Sequence, residues 1–196
     1  MQAQIEPHFL FNTLAIVRQL LADDPPSVCG LLDDLGRYLR AALPRLREGK
    51  ASLGQEVELV RAFLAIHQVR MGAKRLQWRV DVADDALLDA ELPPMLLLTL
   101  AENSLKHCLV PLPEGGCIDI RAEVAGAGRL KLAVADNGAG MGSGSGGGMG
   151  LANIRARLKA AHGDAGRLEL RLNQPRGVVA ELPLRPGTRT TPAASS

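Results

Sequence analysis

The hydrophobic period of this 196-residue chain changes at Gly72, and that change limits the folds open to it. Before Gly72 the apolar residues recur at helical spacing. Leu10, Leu14, Val17 and Leu21, widened by Phe9, Ile16 and Leu20, form one stripe. Asp23-Asp24-Pro25-Pro26 interrupts it, and Ser27 is placed to cap a second helix through Leu31, Leu35 and Leu39. Ser52 opens a third amphipathic stretch with Val57, Val60, Leu64 and Ile66, ending near Gly72. A hairpin with stripes this broad cannot bury them alone, so self-association into a bundle is expected.

After Gly72 the period is two. Leu76, Trp78, Val80 and Val82 alternate with polar residues; so do Ile118, Ile120, Ala122 and Val124, and then Leu130, Leu132 and Val134. Leu168, Leu170 and Leu172 follow, and finally Val178, Ala180, Leu182 and Leu184. Strands with one apolar and one polar face make a sheet covered on one side. Helices are expected from about Pro94 to Cys108 and from about Gly150 to His162. The pattern predicts an α+β chain. Residues 1–72 form a helical dimerisation hairpin or bundle, and residues 73–186 an α/β sandwich, a mixed or antiparallel sheet with helices on one face. A tail over 187–196, rich in Thr, Ala and Ser, is expected to be disordered.

Composition removes several classes of function. A net charge of +2 gives no field for nucleic acid or an anionic membrane surface. Aromatic residues are 3% of the chain, so the core must rest on Leu, Val, Ile and Ala. Cys29, Cys108 and Cys117 form neither a CxxC pair nor an even disulfide framework, as expected of a reducing cytosol. No apolar run approaches the roughly 20 residues of a membrane helix. The first residues read as helix without a cap, so a piece of a longer protein is expected.

Four segments carry candidate chemistry. His8 shares one arc of the first helix with Gln4, Asn12, Ala15 and Gln19, away from the apolar stripe. It is either a solvated surface histidine or an imidazole nucleophile. On the helix near 94–108, Thr99, Glu102, Asn103, Lys106 and His107 share a face. An Mg²⁺ site built mostly from substrate phosphates needs only one or two protein oxygens, and Asn103 can supply one. Asp136 keeps the parity of the buried positions Leu130, Leu132 and Val134. It either caps the turn through Asn137 and Gly138 or accepts a hydrogen bond from a ligand in a pocket. The glycine-rich run 142–150 leads into a helix start at Leu151, Ile154 and Leu158, where free N–H groups favour an anion.

Together these segments resemble one family. Residues 4–14, with the run Pro7-His8-Phe9-Leu10-Phe11-Asn12, are similar to the phosphoacceptor segment of LytS-type sensor histidine kinases. Ala101 to His107 resembles the N box of the GHKL ATPases, and Asp136 to Gly140 resembles their first glycine box. Gly148 to Leu158 is similar to the second glycine box, and Gly177 to Pro183 to the closing strand. Leu98-Thr99, Cys108 and Ala15 depart from the pattern, which has Gln-Pro, Gly and Asn there.

The resemblance implies a Bergerat ATP-binding fold, ATP with Mg²⁺, a homodimer through the N-terminal helices, and a response-regulator partner. It implies His8 as phosphoacceptor, Asn103 as Mg²⁺ ligand, Lys106 and His107 near the phosphates, and Asp136 at adenine. Gly138, Gly140, Gly148 and Gly150, with Leu151, would shape the pocket and its lid. Asn12 and Glu102 are candidates for orienting the imidazole and accepting a proton. The fragment is expected to be cytoplasmic, without membrane contact of its own, and the full-length protein to be anchored in the cytoplasmic membrane. A GHKL ATPase or serine kinase, or a nucleotide-independent dimeric scaffold, are the alternative readings.

Overall fold

A computed structural model of the chain describes residues 7–45, 49–126, 129–140, 149–163 and 166–184. Gln4, Gly148 and the tail at 187–196 lie outside the described residues. Helix α1 (Pro7–Asp23) is followed almost directly by α2 (Pro25–Arg45). The second helix starts two residues earlier than its apolar pattern suggests. Proline at a first helical position loses no intrahelical bond, so Pro25 begins the helix rather than only ending the one before. Ser27 is therefore not the cap; its hydroxyl donates to the carboxylate of Asp24, which stands just ahead of the helix.

A two-residue strand β1 (Ala51–Ser52) leads into α3 (Leu53–Met71). Ser52 caps α3 through a reciprocal pair: Gln55 N–H donates to the Ser52 hydroxyl at 3.2 Å, and Ser52 N–H to Gln55 Oε1 at 2.9 Å. This helix is not amphipathic as its spacing suggests. Val57, Leu59, Val60, Phe63, Leu64 and Ile66 are all buried, because α1 and α2 cover one side and α4 (Leu96–Asn103) and β2 (Leu76–Val82) the other. One hydrophobic core runs from Phe9 through α3 to the sheet.

Phe9 docks α1. Its ring lies 4.9 Å from Tyr38, 5.7 Å from Phe63 and 5.4 Å from His67, and His67 lies 4.4 Å from Phe63. The rest of the first stripe divides. Phe9 and Thr13 face inward, whereas Phe11, Leu14 and Leu21 are more than half exposed, as is Leu43 on α2.

Strands β3 (Glu91–Leu92), β4 (Gly116–Ala125), β5 (Arg129–Asp136), β6 (Glu169–Leu172) and β7 (Val178–Leu184) complete the set with helix α5 (Met149–His162). The short strands β1 and β3 pair antiparallel. The main sheet has the order β2-β4-β5-β7-β6, with β2 and β4 parallel and every other pair antiparallel. Leu76, Ile118, Ile120, Leu130, Leu132, Val134 and Leu182 form its buried face, packed under the helices with Ile154 and Leu158 of α5. The opposite face carries ion pairs, Arg121 with Asp119, Lys131 with Glu123, and Arg171 with Glu181. The hydrogen bond from Arg171 holds the Glu181 carboxyl below its usual range. Exposed pairs of this kind contribute about 0–1 kcal/mol each, so burial on the helical side carries the sheet.

Two features of this core have measurable consequences. Gly177 enters β7 at φ +108°, and a Cβ there would lie 2.0 Å from the Asp136 carbonyl oxygen. Gly177→Ala is expected to destabilise the fold by about 3 kcal/mol or more, measured by urea unfolding. Burial, with a smaller contribution from Arg70, lowers the His67 pKa from 6.5 to about 4, and its Nδ1 has no hydrogen-bond partner. The unfolded chain then takes up the proton first as pH falls. Stability is complete above pH 6.5 and is lost on descent toward pH 4. Between pH 7.5 and pH 5 the loss from this group should be roughly 2 kcal/mol. His67→Phe should flatten the pH dependence of unfolding by that amount.

Candidate functional site

The last residue of β5, Asp136, is 2% exposed. A carboxylate so placed needs donors, and the backbone provides them. Its Oδ1 accepts Gly138 N–H at 3.1 Å and Val178 N–H at 3.2 Å. Its main-chain carbonyl accepts the Asn173 side-chain amide at 2.7 Å, on the side where Gly177 presses in. Asn137 turns away, and its Oδ1 takes Cys117 N–H at 2.6 Å. Turn capping thus occupies Oδ1, and Oδ2 accepts no hydrogen bond among the described residues. Gly138 is buried beside it, and Gly140 turns the chain at φ +81°.

Above this strand end lies α4, which differs from the single helix expected over 94–108. Met95 is left-handed (φ 59°), so the helix begins only at Leu96. After Asn103 the coil widens into a π-helical turn over Ser104–Leu109, with Val110 N–H donating to Leu105 O at 2.8 Å. Such a turn inserts a residue and re-aims the side chains that follow. Met95, Leu96, Leu98 and Leu105 are buried; Glu102 and Lys106 are exposed, and Thr99 and Asn103 are half-buried. The His107 side chain lies outside what is described.

Asn103 donates from Nδ2 to Thr99 O at 2.7 Å, which presents its Oδ1 to other partners. The start of α5 faces it. A Cβ on Gly150 would lie 3.1 Å from Asn103 Nδ2, 3.4 Å from Oδ1 and 3.5 Å from Thr99 Cγ2, so a side chain there would crowd the amide. Leu151 packs against the core, and the Arg157 guanidinium donates to Pro94 O at 2.9 Å, tying α5 to the approach to α4. Two concavities hold neither Asn103 nor Gly150, although the smaller is lined in part by Asp136, Asn137 and Asn173. One of about 790 Å³ lies between α2, α3 and Trp78, and one of about 320 Å³ on the open sheet face.

His8 is separate from these groups and exposed near the start of α1. The Asn12 amide nitrogen lies 3.1 Å from its Nδ1 and 3.4 Å from its Nε2. The structure therefore shows a carboxylate at a strand end, an amide against a helix start, and a solvent-facing imidazole with a neighbouring amide. Among the described residues no cluster of three His, Cys, Asp or Glu could hold a metal. Asn173 and Gly177 were not legible as site residues, because their only role is to hold the Asp136 backbone across the sheet. Gly177 did carry a signal, a glycine directly before an alternating strand.

The family described as "Histidine kinase" matches residues 1–76. The family described as "Histidine kinase-, DNA gyrase B-, and HSP90-like ATPase" matches residues 89–188, just over half of the chain. The sensor protein LytS of Oceanobacillus iheyensis is 36% identical over 138 residues, 70% of this chain and 23% of that protein. The sensor histidine kinase/phosphatase LytS of Staphylococcus aureus is 31% identical over the same length, again 70% and 23%. The chain thus spans about a quarter of the length of these curated relatives. Among solved structures, the histidine kinase domain of a blue-light activated kinase from Erythrobacter litoralis aligns with a TM-score of 0.54 at 15% identity, covering 92% of this chain and 86% of that one. Acinetobacter baumannii histidine kinase AdeS aligns at 0.52 and 17%, covering 92% and 98%. These two likenesses establish the fold, and the family matches establish descent. The chain belongs to the histidine kinase-, DNA gyrase B- and HSP90-like ATPase family, and the segment ahead of the ATPase fold matches the histidine kinase model.

Proposed function

We propose that this chain is the catalytic core of a two-component sensor histidine kinase. It moves the γ-phosphoryl group of ATP to His8 and then to an aspartate of a response regulator. The observation that carries this reading is the pairing of Asn103 with the Gly150 helix start, together with the half-satisfied carboxylate of Asp136 at the end of β5. Asp136 Oδ1 is committed to Gly138 and Val178, so Oδ2 is the acceptor for the exocyclic amine of adenine. Gly138 and Gly140 leave room for the ring. The free N–H groups at the start of α5, at Gly150 and Leu151, meet the phosphates together with Lys106. Mg²⁺, held by phosphate oxygens and Asn103 Oδ1, would offset the charge on the transferring group.

His8 is the nucleophile. A lone pair on a neutral ring nitrogen forms the N–P bond as the bond from the γ-phosphorus to the bridging oxygen of ADP breaks. Asn12 orients the ring. As placed, its N–H donates to Nδ1; with the amide rotated by half a turn, its oxygen takes the Nδ1 proton and leaves the Nε2 lone pair for attack. Glu102, exposed beside Asn103, is the candidate acceptor for the proton that leaves the phosphorylated ring.

The reading includes a homodimer. Phe11, Leu14 and Leu21 recur on one side of α1, and Leu32 and Leu43 on one side of α2, all at least 45% exposed. A second copy covering them explains an apolar surface that the single chain leaves in water. Among the described residues no helix is long and apolar enough to cross a membrane. Anchoring of a longer chain in the cytoplasmic membrane, with this part in the cytoplasm, belongs to the same proposal.

Incubation with γ-labelled ATP should leave acid-labile, base-stable label on the protein. His8→Gln should remove it, and label that persists in the variant would refute the phosphoacceptor assignment. Asp136→Asn keeps Oδ1 for its two backbone donors but replaces Oδ2 with an amide that cannot accept. The fold should survive while the calorimetric Kd for ATP rises roughly 100-fold. An unchanged Kd would eliminate the adenine role.

A further inference from the structure

Glu56 stands on the first turn of α3 with no exposed surface, in a layer otherwise filled by leucines. Its carboxylate reaches across to the head of α4. Oε1 accepts Met95 N–H at 2.7 Å, and Oε2 accepts Leu97 N–H at 3.0 Å. A helix leaves its first N–H groups without intrahelical partners, and a side-chain oxygen just ahead of it usually satisfies one of them. Met95 has no such oxygen and is held left-handed, so the cap of α4 comes from another helix. The negative charge also suits that end of the helix dipole.

The other end of the same short helix carries Asn103. Its eight residues span about 12 Å. Over two turns a helix is effectively a rod, so a bond to two of its leading N–H groups fixes both its rotation and its depth. Asn103 depends on both, because its amide donates to Thr99 O and faces Gly150, where an added Cβ would lie only 3.1 Å away. Farther along α3, Phe63 and His67 hold Phe9, the residue after His8. One helix thus grips the amide helix near one end and the imidazole helix near the other.

We propose that Glu56 is a positioning residue for the nucleotide site. It sets α4 at the rotation and depth at which Asn103 meets the phosphate-bound cation, and through α3 it ties that setting to the helix that bears His8. The inference rests on the functional reading given above. Glu56 itself touches no substrate.

Glu56→Gln keeps one carbonyl acceptor but turns an NH₂ group toward the second N–H donor. In the folded variant, checked by circular dichroism well below its Tm, the Kd for Mg-ATP should rise about ten-fold or more. The Kd for ADP measured without divalent metal should change far less, since the Asp136 side is untouched. A merely structural role would lower Tm and leave the ratio of the two Kd values as in the parent chain. Mg-ATP affinity within about two-fold of the parent, in folded Glu56→Gln, would overturn the proposal. Should that variant not fold, hydrogen exchange in the unaltered chain decides. Saturating Mg-ATP should slow exchange of the Met95 and Leu97 amides by about ten-fold, and unchanged rates would overturn the inference. A parent chain that binds no nucleotide would instead overturn the functional reading itself.

Discussion

Two carboxylates buried in a leucine-rich layer, Glu56 and Asp136, hold the architecture of this chain to one solution. A buried carboxylate without donors costs several kcal/mol, so each must be met by N–H groups in fixed places. Glu56 is met by Met95 and Leu97 at the head of another helix, and Asp136 by Gly138 of its own turn and Val178 of the neighbouring strand. The first pair fixes where α4 starts relative to α3. The second fixes where β7 enters beside β5.

The family match covers the ATPase half and the segment ahead of it, and the packing shows why the two are read together. Helix α3 is shared. It supplies buried side chains to α1 and α2 on one flank and to α4 and β2 on the other. A helix covered on most sides keeps only a narrow polar edge in water, here Gln55, Glu58 and Arg61, so its apolar surface is broader than a stripe. The open face of the sheet is the reverse case, with alternating small alanines and ion-paired charges that need no cover.

Much of the fold was legible because period-two alternation is a strong signal wherever one sheet face is solvated. All five long strands fall where Leu76, Ile118, Leu130, Leu170 and Val178 place them. The mixed character of the sheet follows from β2 running parallel to β4, which no local pattern encodes. The helix caps were only partly legible. Ser52 with Gln55 is a local reciprocal cap, and the sequence displays it. The cap of α4 lies 39 residues away in the chain, and no spacing rule reaches that far. For the same reason the left-handed Met95 and the π-helical turn after Asn103 were invisible: tertiary bonds, not propensity, decide them. At the site, parity placed Asp136 inward, but only the structure shows Oδ1 committed to Gly138 and Val178 and Oδ2 without a hydrogen bond among the described residues.

The ring cluster around Phe9 bears on how His8 could be presented. Phe9 follows His8 directly, so the two side chains project about 100° apart around the same helix. Spinning α1 to re-aim the imidazole would drag the Phe9 ring out from between Tyr38, Phe63 and His67. Sliding or tilting the helix as a unit with its neighbours would not. The direction in which the His8 imidazole points is therefore set by an aromatic lock one residue along, and access to it is more readily changed by moving what approaches than by turning the helix that carries it.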